Sequence, residues 1–301
     1  MNKNILYPLF IILAASSYGT LSTMVKVAMA HGFTTAQAVQ SQYAIGFLLA
    51  LILFLLTQRS LPRMSGKGFL IILFCGLFTG ITGIVYGKSV QYLPASLAVV
   101  MLFQFTWIGL FLDCIVHKRL PKRVELISLV FLIGGTILAA GVLDVDLSGL
   151  DWRGWVFGFA AAFSFAVFMQ FNSKQVVGVT PIARMLLMSI FALIIVSCFQ
   201  APAVMWDGTL FTTKLLYFGL ALGFFGIILP ILLFTIAVPK VGGGTASILS
   251  ATELPVAVMA SVIVLGESLS ALQIFGILLV LVGMTFPTIV DMRKNKIKQF
   301  N

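Results

Sequence analysis

The stretch ASLAVVMLFQFTWIGLFLDCIVHKRL, from Ala95 to Leu120, lies over GTASILSATELPVAVMASVIVLGESL, from Gly244 to Leu269, when the chain is shifted onto itself. Both are apolar for most of their length and end in a short polar run, His117-Lys118-Arg119 in the first and Gly266-Glu267-Ser268 in the second. At the same offset Gly134 and Thr136 fall on Gly283 and Thr285, and Leu120 falls on Leu269. Few residues are identical, so the repeat rests on equal spans and on small residues at matching places. The chain reads as two copies of one membrane unit, residues 1–146 and 150–290, followed by a basic tail, 291–301.

Composition agrees. Of 301 residues, 60% are hydrophobic and 9% charged, too little polar surface to clothe a soluble globule of this length. Lys plus Arg number 19 against 9 Asp plus Glu, a balance that in a soluble protein raises the question of nucleic acid. The basic residues, however, gather in short gaps between apolar runs (Arg59, Arg63 and Lys67; Lys118, Arg119, Lys122 and Arg123) and in the tail (Arg293, Lys294, Lys296, Lys298). That is the positive-inside pattern of a membrane protein, and no nucleic-acid partner is expected. Cys75, Cys114 and Cys198 lie inside apolar runs without paired spacing, so neither a disulfide framework nor a metal site is expected. The opening residues have the outline of a signal peptide, but apolar character continues through Ala30, which reads as a retained first helix.

Cutting at charges, prolines and turn residues leaves ten apolar segments: 5–30, 34–56, 68–89, 94–116, 124–142, 154–174, 181–201, 213–238, 241–265 and 270–290. Each is near the ~20 residues a helix needs to cross ~30 Å of hydrocarbon, and none alternates as a barrel strand would. The predicted fold is an all-α integral membrane protein of ten transmembrane helices. With the N-terminus cytoplasmic, the basic loops, Lys174, Lys240 and the tail share one side. Asp144, Asp146, Asp151, Asp207, Glu267, Trp152, Trp155 and Trp206 share the other, and both termini are cytoplasmic. Five helices per copy is an odd number, so the copies are inverted repeats, an arrangement suited to alternating access.

Glu253-Leu254-Pro255-Val256-Ala257, followed by Val264-Leu265-Gly266-Glu267-Ser268-Leu269 and the small-residue run from Gly276 to Gly283, resembles the EamA family of the drug/metabolite transporter superfamily. The first half departs from the motif, with Thr106 at the place of Pro255 and His117-Lys118 at the place of Gly266-Glu267. The resemblance covers essentially the whole chain. It implies two inverted five-helix halves in a bacterial-type inner-membrane carrier that moves small organic metabolites, often outward.

Glu253 is the residue most suggestive of chemistry. It falls about twelve residues into its helix, roughly 18 Å from the cytoplasmic boundary at 1.5 Å per residue. A carboxylate at that depth is unfavourable by at least ~2.5 kcal/mol and must face protein or water, paired or protonated. Two readings stay open: a site that binds a cationic or amine-bearing substrate in one state and a proton in another, or a protonated acid that ties helices together. Gln104, its partner under the repeat, is a substrate-binding candidate or interhelical glue. Pro255 frees the carbonyl of Ala251 and is a candidate hinge. Trp107, three residues after Gln104, joins Tyr18, Tyr86 and Phe103 as candidate walls of an aromatic pocket, against a plain packing role. Ser16, Ser17, Thr20 and Ser164 are candidates for the same cavity or simple spacers. Asp113 and His117, four apart, form a candidate gate or an interfacial ion cluster with Lys118 or Arg119. Lys26 and Lys88 lie near outer helix ends, and Gln37, Gln40 and Gln42 make the outer part of the second segment polar enough to border water.

No nucleophile with its base, metal cluster or cofactor loop is present, and His31 and His117 fall on opposite sides, so an enzyme is not expected and no cofactor is implied. A channel would show a repeated filter or charged ring. The reading is a secondary active transporter of small organic metabolites, amino acids or related amphipathic compounds, working by alternating access and exporting its substrate. The alternative is a proton-coupled carrier of an organic cation or amine at Glu253. A membrane-embedded enzyme or a non-transporting scaffold is the reading from other classes. Lipid, the small-molecule substrate and protons are the partners named; the sequence leaves the oligomeric state open.

Overall fold

In a bilayer every backbone N–H and C=O must be satisfied within the protein, and a chain this apolar does so as helix. The computed structural model describes residues 3–58, 60, 62–139, 149–266 and 270–300, and no strand occurs among them. Arg59, Asp144, Asp146, the boundary at 146 and Glu267-Ser268-Leu269 lie outside the described residues, as do the side chains of the cations in the tail. In chain order the helices are α1 (Ile5–Ala30), α2 (Thr35–Thr57), α3 (Gly66–Tyr92), α4 (Leu97–Val116), α5 (Arg123–Ala139), α6 (Trp152–Asn172), α7 (Pro181–Phe199), α8 (Leu215–Val241), α9 (Gly243–Leu265) and α10 (Ala271–Phe300). Eight of them are long and apolar enough to cross a membrane; α5 and the apolar part of α10, Ala271–Phe286, are shorter. Two one-turn pieces, Pro202–Met205 and Thr209–Thr212, fill the connection from α7 to α8.

Local chemistry sets the ends. Thr34 and Gln37 form a reciprocal capping box on α2, and Ser65, Asp151 and Thr180 accept from the first free N–H groups of α3, α6 and α7. Gly242 (φ +89°) turns α8 into α9, and Gly266 (φ +71°) ends α9, both in conformations that side-chain-bearing residues avoid. α10 continues through the basic tail to Phe300, because 288–300 holds neither Gly nor Pro to stop it.

Backbones approach closely where side chains are absent. A Cβ at Gly76 would come within 2.6 Å of the Met188 carbonyl and one at Gly80 within 2.9 Å of the Ala192 carbonyl, so α3 seats directly on α7. Gly135 and Gly276 do the same between α5 and α10, and Gly223 meets Gly46 between α8 and α2. The contact pattern maps onto itself when the halves are exchanged: α3 lies on α6 as α8 lies on α1, α3 on α7 as α8 on α2, α4 on α6 as α9 on α1, with α2–α7, α4–α9 and α5–α10 across the centre. Gly66–Tyr92 and Leu215–Val241, equivalent under the repeat, are both 27 residues long.

The bundle has two chemically distinct ends. At one, Gln58 bonds Thr180, Gly68 abuts Val176, and Asp113 near the end of α4 abuts Gly244 at the start of α9. At the other, Lys26 reaches the carbonyls of Val90 (2.9 Å) and Leu93 (3.4 Å), and Leu93 also abuts Gly154 in the first turn of α6. The first is the basic end; the second carries Trp152, Trp155 and Trp206. Leu55, Leu56, Ile115, Val130, Ile263 and Leu278 stand exposed around the sides, an exterior suited to lipid.

Candidate functional site

Four helices are broken at mid-length. Pro255 has no N–H to return to Ala251, and immediately upstream α9 tightens into a 3-10 turn, Ser250–Thr252, before resuming at Glu253. Pro230 likewise frees the Gly226 carbonyl, and α8 widens into a π turn over Phe224–Ile228. α1 breaks at Thr20, whose hydroxyl donates to the Ser17 carbonyl, and α4 breaks at Gln104. The breaks meet one another. A Cβ at Gly19 would collide with the Glu253 carbonyl and touch Val256 (3.0 Å), so the α1 break lies directly on the α9 break. The Ser17 hydroxyl donates to Phe225 within the π turn.

A cavity of about 60 Å³, room for a few water molecules, opens beside this crossing and extends toward the tryptophan end. Tyr18, Tyr43, Tyr86 and Phe165 form its aromatic wall; Gln42, Thr79, Thr82 and Glu253 supply polar groups; Val25, Val39, Val90 and Leu102 complete it. Tyr43 donates to the Thr79 carbonyl (2.7 Å) and is pressed against Gly83, and Tyr18 packs edge-on to Phe165 (ring centres 5.7 Å). Glu253 is 4% exposed, and among the described residues its carboxylate has neither a hydrogen-bond donor nor a basic partner. It follows directly on the 3-10 turn of α9, and its N–H returns to the carbonyls of Ser250 and Ala251. One carboxylate in an aromatic, largely apolar cavity is suited to an ammonium group carried on an apolar body.

Of the residues singled out in the sequence, Glu253, Tyr18 and Tyr86 share this cavity. Gln104 and Trp107 are not among its lining: Gln104 accepts from the Trp107 indole N–H (2.7 Å) and donates to the Val100 carbonyl (3.1 Å), and the indole packs toward Phe111 and Phe159. The repeat puts Gln104 and Glu253 at equivalent breaks, yet only Glu253 meets the cavity. Ser17 clamps α1 to α8, and Ser164 sits one layer back, donating to the Phe78 carbonyl and accepting from Thr82. Pro255 is buried at the α9 break. Of the three glutamines on α2, only Gln42 lines the cavity; Gln37 caps the helix and Gln40 bonds Ser197.

Asp113 and His117 lie at the basic end in a larger ion cluster. Arg119 bonds Asp113 (2.7 Å) and takes both oxygens of Glu125 (2.8 and 3.0 Å), which also accepts from the Lys122 backbone; His117 stands 3.3 Å from Asp113. Bonds from Glu125 first, then Asp113, push the Arg119 guanidinium above its already high ordinary value. Asp113 also wedges against Gly244 at the start of α9. Sequence reasoning passed over Tyr43, Thr82 and Phe165 in the cavity wall and Glu125 in the ion cluster. Tyr43, a polar-tipped ring next to Gln42, was the readable signal. No group of three metal-ligating side chains occurs among the described residues.

Comparison with known proteins supplies the family. The EamA-like transporter family matches residues 5–141 and again residues 152–288. The chain belongs to the EamA-like transporter family. No curated relative matches it in sequence. A solved structure described only as the crystal structure of a protein aligns over 97% of this chain and 99% of its own, with a TM-score of 0.70 and 12% identity, a likeness that speaks for the fold alone. This EamA-like chain is thus a multi-pass membrane protein of a transporter family, built from two copies of the family unit, with the Glu253 cavity where their broken helices cross.

Proposed function

We propose that this EamA-like protein is a secondary carrier of amphipathic metabolites bearing an amino group, amino acids or related amines, and that Glu253 receives the ammonium. The observation that carries this reading is the partnerless Glu253 carboxylate within a wall of Tyr18, Tyr43, Tyr86 and Phe165. An ammonium held there is paired by the carboxylate and faced by rings, while its apolar part rests on valine and leucine. α5 and α10 complete ten membrane spans, and the two halves are inverted repeats. The meeting of the last third of α1 and the first turn of α6 at the same end of α3 supports that inversion. With basic loops inside, the cavity faces outward and the basic end is shut, one of the two states alternating access requires. Substrate binding also engages Tyr18 and Tyr86, Pro255 is the hinge, and the Asp113–Arg119–Glu125 cluster with His117 holds the inner gate. Gln104, Trp107, Ser17 and Ser164 act behind the site as supports. The membrane is the bacterial-type inner membrane, with both termini cytoplasmic and net flow outward.

A second reading is favoured by the same carboxylate: Glu253 takes up a proton when it releases the substrate, so that a proton gradient drives export. The test is counterflow in proteoliposomes with leucine, phenylalanine and a simple arylalkylamine, set against a neutral nucleoside and a dicarboxylate, with and without a pH gradient. Amine-bearing compounds are expected to exchange, and Glu253→Gln to abolish both exchange and its response to the gradient. Movement of the nucleoside or dicarboxylate alone refutes the assignment.

A further inference from the structure

Most of the buried side-chain atoms without partners gather at one end. Gln170 Oε1, both amide atoms of Asn172, Arg184 Nε and Thr235 Oγ1 lie in the basic half of the bundle, and Thr23 Oγ1 and Gln40 Oε1 lie in the other half. Arg184 is 3% exposed. Its guanidinium donates to the carbonyls of Lys174 (3.1 Å) and Asn172 (3.3 Å) and touches the Cys75 sulfur at 3.7 Å, with no carboxylate beside it among the described residues. Buried cations are ordinarily paired and buried amides ordinarily satisfied; here both conditions fail in neighbouring residues between α3, α6 and α7.

The repeat indicates what this region is for. The offset that carries Gln104 onto Glu253 carries Leu21 and Tyr86, two residues of the central cavity wall, onto Gln170 and Thr235. It carries Thr35, which lines a hollow of about 270 Å³ adjoining that cavity through Gly87, onto Arg184. Two independent observations, symmetry and unsatisfied polar atoms, therefore select the same residues. In the present state the region is closed by the Gln170 amide, which donates to the Gly109 carbonyl (2.8 Å) and packs against Gly243, and by Asp113 on Gly244.

We propose that Gln170, Thr235 and Arg184 line an inner vestibule, shut in this state, and that Arg184 is its binding group for a substrate carboxylate. The proposal rests on the carrier reading above and deepens it. The free Nε and the long Nη2 bond leave one edge of the guanidinium able to take both oxygens of a carboxylate. Together with Glu253 it defines a substrate that carries both an ammonium and a carboxylate, the two groups being met in succession along the path. When the basic end opens, water and substrate satisfy the atoms now left dry.

The test uses the full chain with Cys75, Cys114 and Cys198 replaced by serine, and Gln170→Cys or Thr235→Cys added singly. A membrane-impermeant maleimide is applied to each face of reconstituted vesicles in turn. Both cysteines are expected to react from the basic face only, and L-leucine, but not leucinamide, to slow the reaction about tenfold. Arg184→Lys is expected to weaken this protection and Arg184→Gln to lose it. No labelling from the basic face, or equal labelling from both, overturns the vestibule; protection by both compounds or by neither overturns the role of Arg184. Leucine counterflow by the cysteine-free parent separates the layers: transport without labelling sinks the vestibule alone, and transport of no compound sinks the carrier reading beneath it.

Discussion

Replacing Glu253 by glutamine separates a binding carboxylate from a structural one, because the two roles demand opposite signs. The side chain is 4% exposed and without a partner among the described residues, so the isosteric neutral amide removes a charge while sacrificing no protein contact. An ammonium ~4 Å away at an effective dielectric near 20 is attracted by about 4 kcal/mol. Its own desolvation leaves roughly the 1.5–3 kcal/mol typical of hydrogen bonds to charged groups. Affinity for an amine-bearing ligand should therefore fall roughly 10- to 100-fold. The thermal midpoint without ligand should hold or rise, since an unpaired buried charge has gone. The pH response follows in sign: amine binding is present where Glu253 is ionised and is lost as pH falls and the carboxylate takes up a proton, whereas the glutamine variant is flat. Fluorescence-monitored unfolding in detergent at pH 6 and pH 8, with and without ligand, reads all three quantities. A variant destabilised by more than about 1 kcal/mol that still binds amines normally would refute the reasoning and return Glu253 to a helix-tying role.

Arg119→Ala strands Asp113 and Glu125, each 6% exposed, and should lower stability by about 3–5 kcal/mol in chemical unfolding; adding Asp113→Asn and Glu125→Gln should recover most of it. Gly19→Val drives a side chain into the Glu253 carbonyl and Val256, and should lower stability by about 1–3 kcal/mol, seen as reduced monodisperse yield on size exclusion, with loss of exchange. Pro255→Ala restores a donor to the Ala251 carbonyl and should raise stability by about 1 kcal/mol while slowing counterflow.

The all-helical class, the positions of eight membrane-length spans and the repeat could be read before the structure because hydrophobic length is a property of each segment alone. The breaks were half legible: Pro255 announces the one in α9 and Pro230 marks the π turn of α8, but the breaks at Thr20 and Gln104 carry no proline to announce them. The same limit governed the site. Sequence spacing put Trp107 and Gln104 on one helix face correctly, yet their hydrogen bond to each other occupies the amide that was to meet the substrate. The offset that equated Gln104 with Glu253 was informative about backbone and silent about side chains. Lys118 or Arg119 was read as a partner for Asp113 and the structure shows Arg119, while Glu125 went unnoticed because it begins the next helix and meets Arg119 only through the turn.

The absent side chain at Gly19 leaves the α1 backbone resting on the Glu253 carbonyl with nothing flexible between them. A joint of that kind transmits rotation and resists sliding. If the protein is the carrier proposed above, rocking of one half against the other would turn about this crossing, with the carboxylate at the fulcrum. The charge would then stay almost still in the membrane while the walls on either side of it changed places. Such a device would pass its substrate along by changing what surrounds a nearly fixed charge.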